Sequence, residues 1–354
     1  MTPASTAPPF RVGVMQLTME PLEEIVEHAR AMEEAGFDTI WLAEAYPWWR
    51  KHSMEARSST ALSALVARET RRLAVGWGIV SPFTRHPIQI AMEARVTQEA
   101  AGPGRFLLGL GVSKIFMRHA GLGEGSRPVA AMKEAVEIVR ALLRGDELDV
   151  RGRVFEAHVP ALREDADAPR WEVPVYVAGT GPMMLRAAAQ VGDGLLTASI
   201  TTPAFVRYVR ERVAEAGRDP DSLDIGCTVV ASIDEDRDRG REGAREIAGM
   251  YLANKVQNIQ GAADTLLELA GLSQEEVRPI AEAMERGGRL AAKAAVSDEI
   301  LDKCVPIAGN PDDCVAAIEA YRAAGCTHVM LELWGEDRLR QLRLFGERVL
   351  PHVR

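Results

Sequence analysis

The chain has 354 residues, with 42 basic and 51 acidic side chains, a formal charge of -9, 47% hydrophobic residues and 26% charged ones. That composition is globular and excludes wholesale disorder. The acidic balance argues against nucleic acid as a main partner, because neutralising phosphates needs a basic surface. No apolar run approaches the roughly 18 to 20 residues that span a bilayer. Residues 1–9 lack the basic-then-apolar pattern of a signal peptide and read as a loose tail. Cysteines 227, 304, 314 and 326 have no paired spacing, so neither a disulfide framework nor a metal site is expected. The expectation is a cytoplasmic protein of one domain over 10–354, without membrane or nucleic-acid partners.

The first strand is expected over Arg11 to Leu17. Leu22, Ile25, Val26, Ala29 and Met32 recur at helical spacing, Gly36 ends that helix, and Thr39-Ile40-Trp41-Leu42 reads as the second strand. Further strands are expected at Leu73 to Val80, Arg105 to Leu110, Val173 to Ala178, Leu195-Leu196, Asp224 to Ile233 and His328 to Leu331. Helices alternate with them at about 88–101, 127–145, 184–191, 203–216, 315–324 and 338–350. Unbroken apolar strands flanked by helices imply a parallel sheet buried on both faces. Eight such units predict an α/β fold, a (β/α)8 TIM barrel. The alternative, an open doubly wound sheet for dinucleotides, lacks a GxGxxG after the first strand. The stretch of about 235–305 breaks the repeat and is expected as a helical insertion after the seventh strand. Its Lys255, Arg278, Arg286, Arg289 and Lys293 make it locally basic, though a solvated helix surface has the same composition.

In a barrel the chemistry lies at the carboxyl ends of the strands. After the second strand stands Glu44, followed by Tyr46, Trp48 and Trp49. This is a proton-handling carboxyl beside aromatic walls, or else a carboxylate paired with a buried base above a packed loop. The third strand runs through Trp77, Gly78, Ile79 and Ser81 to Arg85, His86 and Pro87. Glycine in a central strand marks a place where something approaches the backbone closely. His86 serves equally well as a helix cap. After the fourth strand, Gly109, Gly111, Ser113 and Lys114 combine open backbone with a group for an anion or a substrate carbonyl, or a solvated lysine. After the fifth, Gly179-Thr180-Gly181-Pro182 opens a helix with bare N–H groups, an anion site suited to phosphate or simply a tight βα turn. After the sixth, Asp193-Gly194 and Thr197 lie next to that loop in barrel order.

Taken together, GWGIVSPFTRHP, GRFLLGLGVSK, VPVYVAGTGPMMLRAAAQVGDGLL and AGNPDDCVAAIEAYRAAGCTHVMLELWG resemble the luciferase-like flavin and deazaflavin oxidoreductases. The resemblance covers roughly residues 10–350. Within that superfamily it is closest to the branch of methylenetetrahydromethanopterin reductase, which uses coenzyme F420. The resemblance implies a homodimeric (β/α)8 barrel with a non-prolyl cis peptide at Gly78–Ile79. It implies that Ser81 touches the ring system and that Gly179, Thr180 and Gly181 hold the cofactor phosphate. Gly194 and Leu195 would line the same cleft. The sugar-phosphate dehydrogenase branch carries Asp-His after the second strand and a carboxylate after the fourth. Glu44-Ala45 and Lys114 stand there instead, which leaves the base for a hydroxyl proton unassigned.

The function expected is hydride transfer between coenzyme F420 and a small organic substrate. Glu44 is the candidate proton donor or substrate-positioning group, and Trp48, Trp77 and Lys114 are candidate substrate contacts. The alternatives are an FMN-dependent monooxygenase of the same fold and a barrel that only binds.

Overall fold

The structure, a computed structural model, describes residues 8–44, 56–113, 117, 121–122, 126–161, 171–197, 200–256, 263–335 and 337–354. They fall into two compact units, one within the bounds Met1–Met15, Ala31–Asp38 and Leu196–Arg354, the other within Gln16–Arg30 and Thr39–Leu195.

The second unit is built on the parallel strands β2 (Thr39–Ala43), β3 (Ala74–Trp77), β4 (Phe106–Gly111) and β7 (Val175–Ala178). Trp41 stands opposite Gly76, and Gly109 opposite Tyr176. The rings of Trp41 and Tyr176 meet edge-on with centroids 5.1 Å apart. Two strands lie between β2 and β7. With strands about 4.8 Å apart, the two rings can touch only if both point to the concave face. Glycines make room for them: a Cβ on Gly76 would stand 2.3 Å from Trp41 Cε3, and one on Gly194 would stand 2.2 Å from Tyr176 Cδ1. Around these strands lie α2 (Ser59–Glu69), α3 (Pro87–Ala101), α4 (Pro128–Arg144) and α5 (Pro182–Val191). An antiparallel hairpin of β5 (Leu148–Arg151) and β6 (Glu156–Val159) is an addition that the sequence reading did not foresee. Its turn is clamped by Glu134 of α4, whose carboxylate accepts the backbone N–H groups of Arg153, Val154 and Phe155 at 2.8, 3.0 and 2.9 Å.

In the first unit β11 (His328–Leu333) pairs in parallel with β1 (Arg11–Leu17) and with β9 (Asp224–Ile233). A short β10 (Ile307–Gly309), also unforeseen, pairs with the end of β9. Between β9 and β10 come α7 (Arg237–Val256), α8 (Ala263–Leu269), α9 (Gln274–Ala295) and α10 (Asp298–Lys303). These helices occupy the stretch expected as the insertion. The amino end of β11 is anchored on a buried polar cluster: Asp224 accepts from Arg11 and from the Thr327 hydroxyl at 2.6 Å, and His328 lies against it fully buried.

With β8 (Gly194–Thr197), the strand order is β10-β9-β11-β1-β2-β3-β4-β7-β8, and β9 also bonds β8. Without the added β10, the eight strands follow one another in chain order as a (β/α)8 TIM barrel requires. They are the eight strands expected from the sequence. The remaining helices are α1 (Leu22–Ala35), α6 (Pro203–Glu215), α11 (Pro311–Ala323), α12 (Arg338–Arg348) and α13 (Leu350–Val353). No helix among the described residues is long and apolar enough to cross a membrane.

Candidate functional site

The carboxyl ends of β2, β3, β4 and β7 bring most of the expected residues together within one unit. The third strand is shorter than the expected Leu73 to Val80. Regular pairing stops at Trp77, the Gly78–Ile79 peptide is cis, and Val80 resumes with a single parallel bridge to Leu110. Gly78 N–H bonds Leu42 C=O at 2.9 Å, and Val80 N–H bonds Gly109 C=O at 2.9 Å, so both flanks of the interruption are held by neighbouring strands. The Ile79 side chain lies against Gly111, where an added Cβ would come within 2.8 Å of Ile79 Cγ1 and 3.0 Å of Ala178 Cβ. The glycine in β4 is therefore a space-making residue for Ile79.

Ser81 is buried and opens the turn that follows. Its C=O accepts the N–H groups of Thr84 and Arg85 at 3.2 and 3.1 Å, and its Oγ accepts Phe83 N–H at 3.3 Å. His86 caps α3 through Nδ1, which accepts Ile88 N–H at 3.3 Å. Of the two roles open to it in the sequence, capping is the one the geometry displays.

Glu44 stands just past β2 with a partner on each oxygen. Oε1 accepts from Arg85 Nη2 at 3.2 Å, and Oε2 accepts the Ser59 hydroxyl and, at 3.4 Å, the Ser59 N–H. Arg85 is itself shared with Glu93 at 3.5 Å. Both side chains are mostly buried, with 13% and 20% exposure for Glu44 and Arg85. The pairing foreseen as the alternative for Glu44 is thus present.

At β7 the chain passes through Gly179 and Thr180 into α5. Gly181 is the helix N-cap with φ -84°, has no side-chain cap, and is followed by Pro182, which has no N–H. Met184 and Leu185 both donate to Gly181 C=O at 3.0 Å. The Gly181 and Met183 amides make no bond to another described residue, and a Cβ on Gly181 would meet nothing within 4 Å. Gly179 is different. A Cβ there would stand 2.5 Å from Met184 Cγ, so this glycine lets the first turn of the helix close onto the strand.

Three expected residues lie elsewhere. Trp77 is fully buried and meets Phe106 edge-on at 5.1 Å, making it a core residue and not a cleft wall. Gly194 and Leu195 open β8 at its amino end, the end remote from barrel chemistry; Gly194 backs Tyr176 and Leu195 is fully buried. The resemblance placed both in the cleft and barrel order put Gly194 beside the 179–181 turn, because neither registers which end of a four-residue strand they occupy. Trp48 and Lys114 lie outside the described residues. All four cysteines are free and buried, and no metal-binding group of His, Cys, Asp or Glu occurs among the described residues.

The other unit holds one strand-end carboxyl that sequence reasoning missed. Glu332, the penultimate residue of β11, is 2% exposed and accepts the Tyr251 hydroxyl at 2.6 Å. Burial pushes its carboxyl up to about 7, against the opposing pull of the Tyr251 hydrogen bond. A lone Glu in an apolar strand was the only available signal.

An eight-stranded parallel barrel in which β7 runs through glycines into a helix start without a side-chain cap defines the class as a (β/α)8 barrel protein. The chain belongs to the luciferase-like monooxygenase family, whose model matches residues 4–328, and it is an oxidoreductase. It is 28% identical to a 5,10-methylenetetrahydromethanopterin reductase of Archaeoglobus fulgidus, covering 94% of this chain and 96% of the relative. It is 29% identical to an F420-dependent glucose-6-phosphate dehydrogenase of Nakamurella multipartita, covering 99% and 98%. The solved coenzyme F420 dependent tetrahydromethanopterin reductase of Methanopyrus kandleri superposes with a TM-score of 0.83 at 25% identity, covering 98% of this chain and all of that one.

Proposed function

We propose that this protein is a coenzyme F420-dependent oxidoreductase acting on a small organic substrate. The observation that carries the reading is the start of α5, which has no side-chain cap and whose Gly181 and Met183 amides make no bond to another described residue. Such a helix end attracts an anion through its N–H groups and dipole. It fits the phosphate of a deazaflavin cofactor, and an acidic protein needs a local device of this kind. The similarity to F420-dependent relatives supports the same choice.

In this reading Gly179, Thr180 and Gly181 hold the phosphate, while Gly78, Ile79 and Ser81 support the ring system. When bound, the deazaflavin supplies hydride chemistry. Ile79 keeps its position because Gly111 and Ala178 back its side chain. Glu44, fixed by Arg85 and Ser59, serves as a positioned charge at the rim and not as a free proton donor. The homodimer and the cytoplasmic location belong to the same proposal, with sedimentation as the test of the first.

Titrating the full chain with oxidised and reduced coenzyme F420, followed by absorbance and fluorescence, tests the assignment. Saturable changes are expected, weakened at least about tenfold in Gly181→Asp. Aspartate is a good N-cap, so the variant keeps its helix while placing a negative charge at the anion site. No spectral change at high micromolar cofactor refutes the proposal. Saturation by FMN alone, with oxygen uptake on supplying reduced FMN, favours the monooxygenase alternative.

A further inference from the structure

Glu332 lies at the carboxyl end of the last barrel strand, where (β/α)8 enzymes keep their chemistry. One of its oxygens is engaged by Tyr251. The other, Oε1, is buried and has no hydrogen bond of normal geometry, although the Trp334 indole lies near the carboxyl. Tyr251 belongs to α7. One turn further along that helix face stand Asn254 and Lys255, both buried. Asn254 Nδ2 is a second buried atom without a partner. The third is Thr228 Oγ1, and the register places it on the same side as Glu332: Thr228 stands opposite Met330, and Glu332 opposite Val230, one step further along the strands. Buried polar atoms are almost always satisfied, so three orphans on adjoining elements point to a polar group that belongs among them.

The set has a definite chemistry. Asn254 Nδ2 only donates, Thr228 Oγ1 donates or accepts, and Glu332 Oε1 donates when protonated and accepts when ionised. A hydroxyl oxygen suits the ionised form, giving its proton to Oε1 while accepting from Asn254. A carbonyl oxygen suits the protonated form, accepting from both.

We propose that Glu332, Asn254 and Thr228, with Tyr251 orienting the carboxyl, bind the oxygen of a substrate of the alcohol or carbonyl class, and that Glu332 Oε1 is the atom that holds the exchanging proton. The assignment deepens the oxidoreductase reading above and rests on it for the class of substrate. Among the described residues, the titratable and charged groups that act on Glu332 are Tyr251 on α7 and Arg338 at the start of α12.

The test is carboxyl 13C NMR of the full chain labelled at glutamate, with Glu332 assigned by Glu332→Gln and cyclohexanol and cyclohexanone as probes. The Glu332 resonance is expected to titrate with a midpoint near 7, which moves higher in Tyr251→Phe because a hydrogen bond to the charged form is lost. Cyclohexanone should raise that midpoint and cyclohexanol lower it. Both probes should bind about tenfold more weakly to Asn254→Leu, whose fold is checked by its far-UV spectrum. A structural carboxyl would titrate without responding to either probe, and that result overturns the proposal. Coenzyme F420 binding to the wild-type chain is read separately by fluorescence. Its absence refutes the cofactor assignment, whereas intact binding with an unresponsive Glu332 refutes only the present one.

Discussion

Replacing Gly76 with alanine probes the concave core directly. The new Cβ would stand 2.3 Å from Trp41 Cε3 and 2.4 Å from Cδ2, where real Cβ atoms essentially never come under 3.0 Å. The indole must therefore retreat by about 1 Å to reach ordinary contact. Its path is blocked by Tyr176, 5.1 Å away edge-on, and Tyr176 is itself pressed against Gly194. Backbone on both sides means the strain cannot be passed to a flexible side chain. Overpacking of this kind costs about 1–3 kcal/mol, and the rigid surroundings put Gly76→Ala at the upper end. For a chain of this size that is a fall in Tm of about 5 °C. Trp41→Phe removes the outer part of the indole, so in the double variant a coupling of about 1 kcal/mol or more should return. Thermal and urea unfolding of the four proteins of the cycle measure both quantities. An unchanged unfolding midpoint in Gly76→Ala, or strict additivity with Trp41→Phe, would refute the packing argument.

Two further outcomes are expected. Glu134→Gln should weaken the turn of the β5–β6 hairpin by about 1 kcal/mol and speed amide exchange at Arg153, Val154 and Phe155. Desolvation opposes ionisation of Glu134, but the hydrogen bonds from Phe155, Arg153 and Val154 outweigh it and hold its carboxyl below the ordinary 4.5. Its stabilising contribution is accordingly complete above that value and is lost as pH falls through the lower folded one, which exchange measured across the acid range would register. Lys255, fully buried, has its ammonium pushed down from 10.5 to about 7 by desolvation. The unfolded chain binds this proton more tightly, so the cost of burying the charge is complete below pH 7 and fades as pH rises towards 10.5. Lys255→Met should raise Tm most near pH 6 and progressively less in alkaline buffer. A gain independent of pH would count against the desolvation account.

Much of the barrel is legible in the sequence. Its eight strands announce themselves as short apolar runs, and its helices through spacing such as that of Val129, Met132, Val136, Val139 and Leu143 in α4. The turn at Gly179–Pro182 was readable for the same reason, because proline at the first helical position and glycine before it act through local backbone geometry. Elements weak in local signal were not. The β5–β6 hairpin is four residues per strand with half-exposed side chains, and β10 is three residues long, so neither carries a period to detect.

What only the tertiary structure decided is which residues meet. Composition marked Trp77 as a site aromatic and gave Trp41 no role, yet Trp77 is packed on Phe106 while Trp41 fills the concave face against Tyr176. Gly194, expected to line the cleft beside the 179–181 turn, is space for the Tyr176 ring. Glu44 found Arg85, 41 positions away, and Glu332 found Tyr251, 81 positions away. Periodicity and turn chemistry depend on neighbours a few residues apart, so the sequence by itself determines the elements that carry a period or a turn signal. The identity of a buried partner depends on strand register and on how a helix returns over a strand end, and these are settled only when the whole chain packs.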